Sequence, residues 1–270
     1  MAEEKEMSFL DHLEELRWHS IRAVIAIAVC SIAAFVAKSF VIGELILGPS
    51  KLKFLSYQLL CKLSDITCIQ ELPFIIISRK PTGQFTMHIA ASLAVGFIAA
   101  FPYVFWEIWR FIAPGLYDTE RKAASGATFF VSLLFILGVL FGYFIITPLS
   151  INFLSNYQID PTIRNEFDIT AFVTLVTMLT LSCGLMFQLP MVVLFLSRAG
   201  IVTPELMKQF RRHAIIVILF LSAVLTPPDV ISQLLISMPL FLLYQISIGV
   251  SRRVWKRHHR LMAEQGNEIF

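Results

Sequence analysis

Long apolar stretches separated by short polar ones constrain this chain more than any other feature. A membrane-crossing helix needs about 20 mostly apolar residues, because it rises about 1.5 Å per residue through about 30 Å of hydrocarbon. Six segments meet or approach that requirement, at residues 20–42, 85–106, 124–148, 169–196, a short 213–226, and 230–250. Only 15% of the residues are charged and 57% are hydrophobic, against about 25% charged in an ordinary soluble domain. No single water-soluble core can hide that much apolar surface. The expected fold class is therefore all-α, a polytopic membrane protein with six transmembrane helices in one domain. Pro102, Pro148, Pro190 and Pro239 each fall in or beside a different stretch, which predicts kinked helices and a concave bundle. Pro227 and Pro228 cannot continue a helix, so the fifth and sixth segments form a tight re-entering pair. The fifth is barely long enough to cross.

The formal charge of +3 is too mild for a nucleic-acid binder. The charged, acidic start MAEEKEMSFLDHLEELR lacks the basic n-region and apolar core of a cleavable signal peptide. Most of the 22 Lys and Arg, from Arg17 and Arg22 through Arg121 and Lys122 to Arg252, Arg253 and Lys256, fall on one side of the six-segment layout. The positive-inside rule then places both termini in the cytoplasm. The longest outer loop, residues 43–84, carries Cys61 and Cys68 in LCKLSDITCI. That pair closes a small disulfide loop in an oxidising compartment or remains two idle thiols in a reducing one. Cys30 and Cys183 lie within apolar stretches, where an inert buried thiol is expected.

Signatures of catalysis are missing from the sequence: it has no HExxH, GxxxxGK[ST], GxSxG or GxGxxG. The expectation is a protein that is not an enzyme and needs no cofactor or metal. Near the N-terminus, residues 8–19 read as an amphipathic surface helix. Phe9, Leu13 and Leu16 form an apolar stripe, and His12, Glu15, His19 and Arg22 form a polar one that faces outward. A second cytoplasmic cluster follows the second stretch, with Trp106, Trp109 and Tyr117 suited to an interfacial belt and Glu120 just past the Pro114-Gly115 turn. Two readings of the acidic residues stay open. Glu15 belongs to a solvated helix face and Glu120 favours a helix N-terminus through the macrodipole, or the two form a paired acidic site able to take a guanidinium in bidentate fashion. Within the apolar stretches the polar residues are few, chiefly Glu107, Gln188, Gln233 and Gln245. Such groups are costly in hydrocarbon and face protein or a wet cavity. A proton-coupled secondary transporter of small solutes, using Glu107 and Gln188, is the alternative function, although no internal repeat of the kind many transporters carry is visible.

Five motifs in order, HLEELR (12–17), FIAPGLYDTER (111–121), LGVLFGYFIITP (137–148), FQLP (187–190) and LTPPDVISQ (225–233), resemble those of the TatC family of the twin-arginine protein translocase. The resemblance covers nearly the whole chain. It implies a receptor subunit of the bacterial inner membrane that binds the twin-arginine signal peptides of folded cargo, in a pathway driven by the proton motive force. It further implies that Glu15 and Glu120 receive the paired arginines, with Arg17 and Phe111 completing the surface and Arg121 flanking it. The implied partners are the single-span subunits TatA and TatB, other copies of the same chain, and the bilayer. Gln188, Thr226 and Gln233 match polar positions on the partner-binding side. The chain departs from the family in three places: Gln188 stands where some members carry Glu, Glu107 stands where many have Gln, and the cysteine-bearing outer loop is outside the general pattern.

Overall fold

The computed structural model describes residues 9–63, 71–112, 127–160, 162–198, 202–225 and 230–267. In chain order the elements are α1 (Phe9–Val36), α2 (Lys38–Phe40), a π-helical turn (Val41–Ile46), a 3-10 turn (Gly48–Ser50), α3 (Leu55–Leu63), β1 (Phe74–Ile77) and α4 (Gly83–Ile112). There follow α5 (Ala127–Phe141), a second π-helical turn (Gly142–Ile146), α6 (Thr147–Asn156), β2 (Asn165–Asp168) and α7 (Ile169–Met186). The chain continues through α8 (Leu189–Arg198), α9 (Pro204–Gln209), α10 (Arg211–Leu225) and α11 (Val230–Asn267).

Four helical runs among the described residues are long and apolar enough to cross a bilayer: Glu14–Val36, Gly83–Ile112, Thr128–Asn156 and Ile169–Ser197. The chain is thus a mostly helical membrane protein. α10 has 15 residues, about 22 Å at 1.5 Å per residue, shorter than the hydrocarbon core. α11 runs 38 residues and does not stop where the apolar stretch ends near residue 250. α1 is unbroken from Phe9, so the surface segment and the first apolar stretch are one helix. The all-α expectation misses one detail, a two-stranded sheet of β1 with β2, built on the Phe-Ile-Ile-Ile run whose β-branched side chains favour extended backbone.

Two compact units divide the chain. The first takes in α1, α4, most of α5 and the start of α7. Its axis is an antiparallel pair: His19 of α1 meets Glu107 of α4, Ser31 meets Gly96, and Phe35 stacks on His88 with ring centroids 4.0 Å apart. The backbones come closest at Gly96, where an added Cβ would lie 2.5 Å from the Cα of Ser31. In a membrane, where apolar burial does not drive helices together, such close approach of small residues supplies the packing. Behind this pair Phe101 stacks on Phe135, and both are buried together with Ala91, Ala94 and Val131. His88 Nε2 donates to the Phe35 carbonyl at 3.1 Å.

The second unit takes in α3, α6, the end of α7 and all of α8 to α11. Pro148 cannot donate to the carbonyl of Phe144, four residues earlier, and an unsatisfied carbonyl is costly in a membrane setting. The hydroxyl of Ser56 on α3 donates to that carbonyl, and the buried Tyr57 hydroxyl lies 2.8 Å from the carbonyl of Pro49 and 3.3 Å from that of Pro148. Thr147 adds its own hydroxyl to the Gly142 carbonyl at 2.8 Å. The loop helix is therefore tied to the proline bend. Pro190 has a similar effect, ending α7 at Met186 and restarting the helix as α8 at Leu189. Gln233 on α11 donates to the Leu219 carbonyl of α10 at 3.1 Å, joining the two helices that flank the double proline. Cys61 is disulfide-bonded and Cys30 and Cys183 are free thiols. Cys68 lies outside the described residues.

At the start of α7 the Asp168 carboxylate accepts from the Thr170 backbone at 2.8 Å and its hydroxyl at 2.5 Å, and from the Arg79 backbone at 3.2 Å. These bonds, those from Thr170 first, hold its carboxyl below the usual range.

Three outcomes are expected. Gly96→Leu forces α1 off α4 and destabilises the protein by about 1–3 kcal/mol, the usual cost of overpacking, read as a lower Tm in detergent. Ser56→Ala strands the Phe144 carbonyl and costs about 1–3 kcal/mol, while Ser56→Thr retains the bond. For Asp168 the lowered carboxyl pKa means stabilisation above the ordinary carboxylate range that is lost as pH falls through the lowered value. Asp168→Ala should lower Tm at neutral pH, with the gap to wild type closing in acid.

Candidate functional site

One fully buried carboxylate organises the end of the α1–α4 pair. Glu107 is 1% exposed, near the C-terminal end of an otherwise apolar helix, and desolvating an isolated carboxylate there would be prohibitive. Two side chains of α1 answer it. His19 donates through Nδ1 to Glu107 Oε2 at 2.5 Å, and Arg22 places Nε 3.5 Å from the same oxygen; Tyr103 stands one turn back from Glu107 on α4. Arg22 is itself anchored through Nε to the Trp18 carbonyl at 3.3 Å. The expectation that the whole stripe His12, Glu15, His19 and Arg22 faces outward is corrected here. His19 and Arg22 turn toward α4, because Glu107 requires countercharge that lipid cannot provide.

The positions follow from helical spacing. Glu15, His19 and Arg22 stand at i, i+4 and i+7 on α1, and Tyr103, Glu107 and Phe111 at i, i+4 and i+8 on α4, so each set shares a face. The pairings His19 with Glu107, Ser31 with Gly96 and Phe35 with His88 fix an antiparallel register. His19 also meets Phe111, with ring centroids 6.3 Å apart. One further turn of that register brings Glu15 level with Phe111 at the end of α4. Glu15 and Arg17 are exposed and Phe111 is half-buried. The Arg17 guanidinium carbon lies 6.0 Å from the Trp18 ring centroid, and that of Arg110 lies 4.9 Å from the Trp106 centroid, an arrangement suited to an interfacial belt.

The remaining sequence-predicted residues divide. Glu120 and Arg121 lie outside the described residues, as does Thr226. Gln188 is half-buried at the break between α7 and α8, and Gln233 is half-buried and engaged with Leu219. No group of three or more His, Cys, Asp or Glu side chains converges as a metal site among the described residues. Sequence reasoning noticed Glu107 but found no partner for it. The usable signal was a carboxylate in the last turns of a span together with a His and an Arg three residues apart on another helix.

Comparison with known proteins gives a consistent result. The family model described as Sec-independent protein translocase protein (TatC) matches residues 11–239. A Sec-independent protein translocase protein TatC from Blattabacterium is 37% identical over 262 residues, covering 94% of this chain and 98% of its own length. The TatC of Aquifex aeolicus is 33% identical over 247 residues, covering 91% of this chain and 95% of its own. Among solved structures, the crystal structure of a twin-arginine translocase receptor TatC superposes with a TM-score of 0.72 at 34% identity, covering 90% of this chain and 99% of that one.

Proposed function

The chain belongs to the TatC family of Sec-independent protein translocase components, and from that premise we propose that it is the signal-peptide receptor of a twin-arginine translocase. In this reading Glu15 on α1 and Glu120 in the segment after α4 each take one guanidinium of the paired arginines, with Arg17, Phe111 and Arg121 around them. Both termini and this site lie on the cytoplasmic side of a bacterial inner membrane, the side carrying most of the Lys and Arg. Partner single-span subunits of the TatA and TatB kind gather against the face that includes Gln188, Thr226 and Gln233, and the short α10 thins the bilayer there through mismatch. The proton motive force drives the transport step.

The single observation that carries this reading is the register of α1 on α4, by which exposed Glu15 stands level with Phe111. From Phe111 the chain enters the run that ends in Glu120 and Arg121. Two carboxylates on separate elements suit two forked guanidinium groups, and a pair of lysine ammonium groups does not reproduce that planar bidentate geometry. The transporter alternative gains nothing from Glu107, whose carboxylate is already engaged by His19 and Arg22.

The test is binding of a twin-arginine signal peptide to the protein in membranes, read by crosslinking and by affinity. Wild type should bind and reject a peptide with two lysines. Glu15→Gln and Glu120→Gln should each weaken binding about tenfold or more, since a charge-assisted hydrogen bond contributes about 1.5–3 kcal/mol and 1.4 kcal/mol is a factor of ten. Equal binding of the arginine and lysine peptides, or no binding at all, overturns the receptor reading and turns attention to proton-coupled solute uptake.

A further inference from the structure

Glu15 is exposed on α1. Orientation at a two-carboxylate site matters, because productive geometry must be held within about 0.5 Å and 10–20°. Two degrees of freedom set the Glu15 carboxylate: the rotation of α1 about its own axis and its sliding along α4. A rotation by a single residue is about 100°, enough to turn Glu15 to a different face.

Close packing at Gly96 and the His88 bond to the Phe35 carbonyl hold the middle and far end of the pair. The contacts nearest Glu15 are of a different kind. His19 is one turn from Glu15 and Arg22 two turns from it on the same face, and both converge on one oxygen of the buried Glu107. Rotating or sliding α1 would leave a carboxylate that is 1% exposed without its partners. A buried ion pair of this sort is a poor source of stability relative to apolar packing, and the best-attested use of such groups is to fix one register. The same His19 ring lies against Phe111, the residue from which the Glu120 segment departs. The cluster therefore ties α1 and the end of α4 to a single buried atom.

We propose that Glu107 is a positioning residue for signal-peptide recognition, acting through His19 and Arg22 to lock α1 on α4 in the one register that directs Glu15 toward the arginine pair. This rests on the receptor reading, and it assigns to Glu107 no contact with the peptide.

The experiment is a double-mutant cycle on the full-length protein in membrane vesicles, with twin-arginine and twin-lysine peptides as probes and Tm recorded for every variant. Glu107→Gln should weaken twin-arginine binding about tenfold and shrink the preference over the lysine peptide. In the Glu15→Gln background the same change should have no further effect on binding, because the carboxylate it positions is gone. A merely structural role lowers Tm in both backgrounds and leaves the affinity of the folded protein unchanged, and that result overturns the proposal. Losses that multiply in the double variant also overturn it, since Glu107 would then contribute independently of Glu15. Should Glu107→Gln fail to fold, His19→Gln and Arg22→Gln carry the same cycle with smaller perturbation and the same two outcomes. A wild type that binds neither peptide overturns the receptor reading and this proposal together. A wild type that discriminates, loses binding in Glu15→Gln and is indifferent to changes at 107, 19 and 22 overturns this proposal alone.

Discussion

The antiparallel contact of α1 with α4 is the constraint on which the rest of the first unit depends. It is closed at its middle by Gly96, where the backbone of α1 occupies the space a side chain would need, and at its end by Glu107, whose buried carboxylate admits one arrangement of His19 and Arg22. These are complementary devices. A glycine permits close approach without dictating rotation, and a buried charge dictates rotation without supplying much net attraction. Together they give a helix pair that is both tight and specific. The exposed Glu15 takes its position from that specificity.

Prolines organise the second unit by a related logic. In an apolar medium each carbonyl freed by a proline must find a donor. For Pro148 the donor is Ser56, carried on the loop helix α3, so that a defect in one helix becomes the anchor for a segment outside it. Tyr57 doubles the anchor by reaching the carbonyls of Pro49 and Pro148. The bend after Gln188 divides the fourth long run into α7 and α8. Gln233 bridges α11 back to α10 by a bond to Leu219. Hydroxyls within the apolar helices mostly return to their own helix, as those of Thr177, Ser222 and Ser247 do, whereas His88 and Gln233 reach the backbone of a neighbour.

Much of this architecture was legible in the sequence. The four long apolar runs follow from counting residues against the thickness of hydrocarbon, the interruption at Pro190 from proline's missing N–H, and the brevity of α10 from the double proline that follows it. The motifs single out Glu15 and Phe111, and helical period puts His19 and Arg22 on one stripe, but nothing contiguous in the chain pairs that stripe with Glu107, which the sequence offers only as a costly intramembrane carboxylate. The two-stranded sheet was missed because β1 and β2 are four residues each, too short for a period-two pattern to stand out against long helical ones.

What the sequence determined by itself is local: the lengths of the apolar runs, the places where helices must bend, and the family. Each depends on the chemistry of contiguous residues and on water and hydrocarbon as solvents. What only the tertiary structure decided is azimuth and partnership. His19 and Glu107 are 88 residues apart in the chain, as are Ser56 and Phe144. Helical period places a residue on a face but cannot say which helix that face will meet. That choice is made when a buried carboxylate or a stranded carbonyl, unable to turn to water, accepts the donors that packing brings within reach.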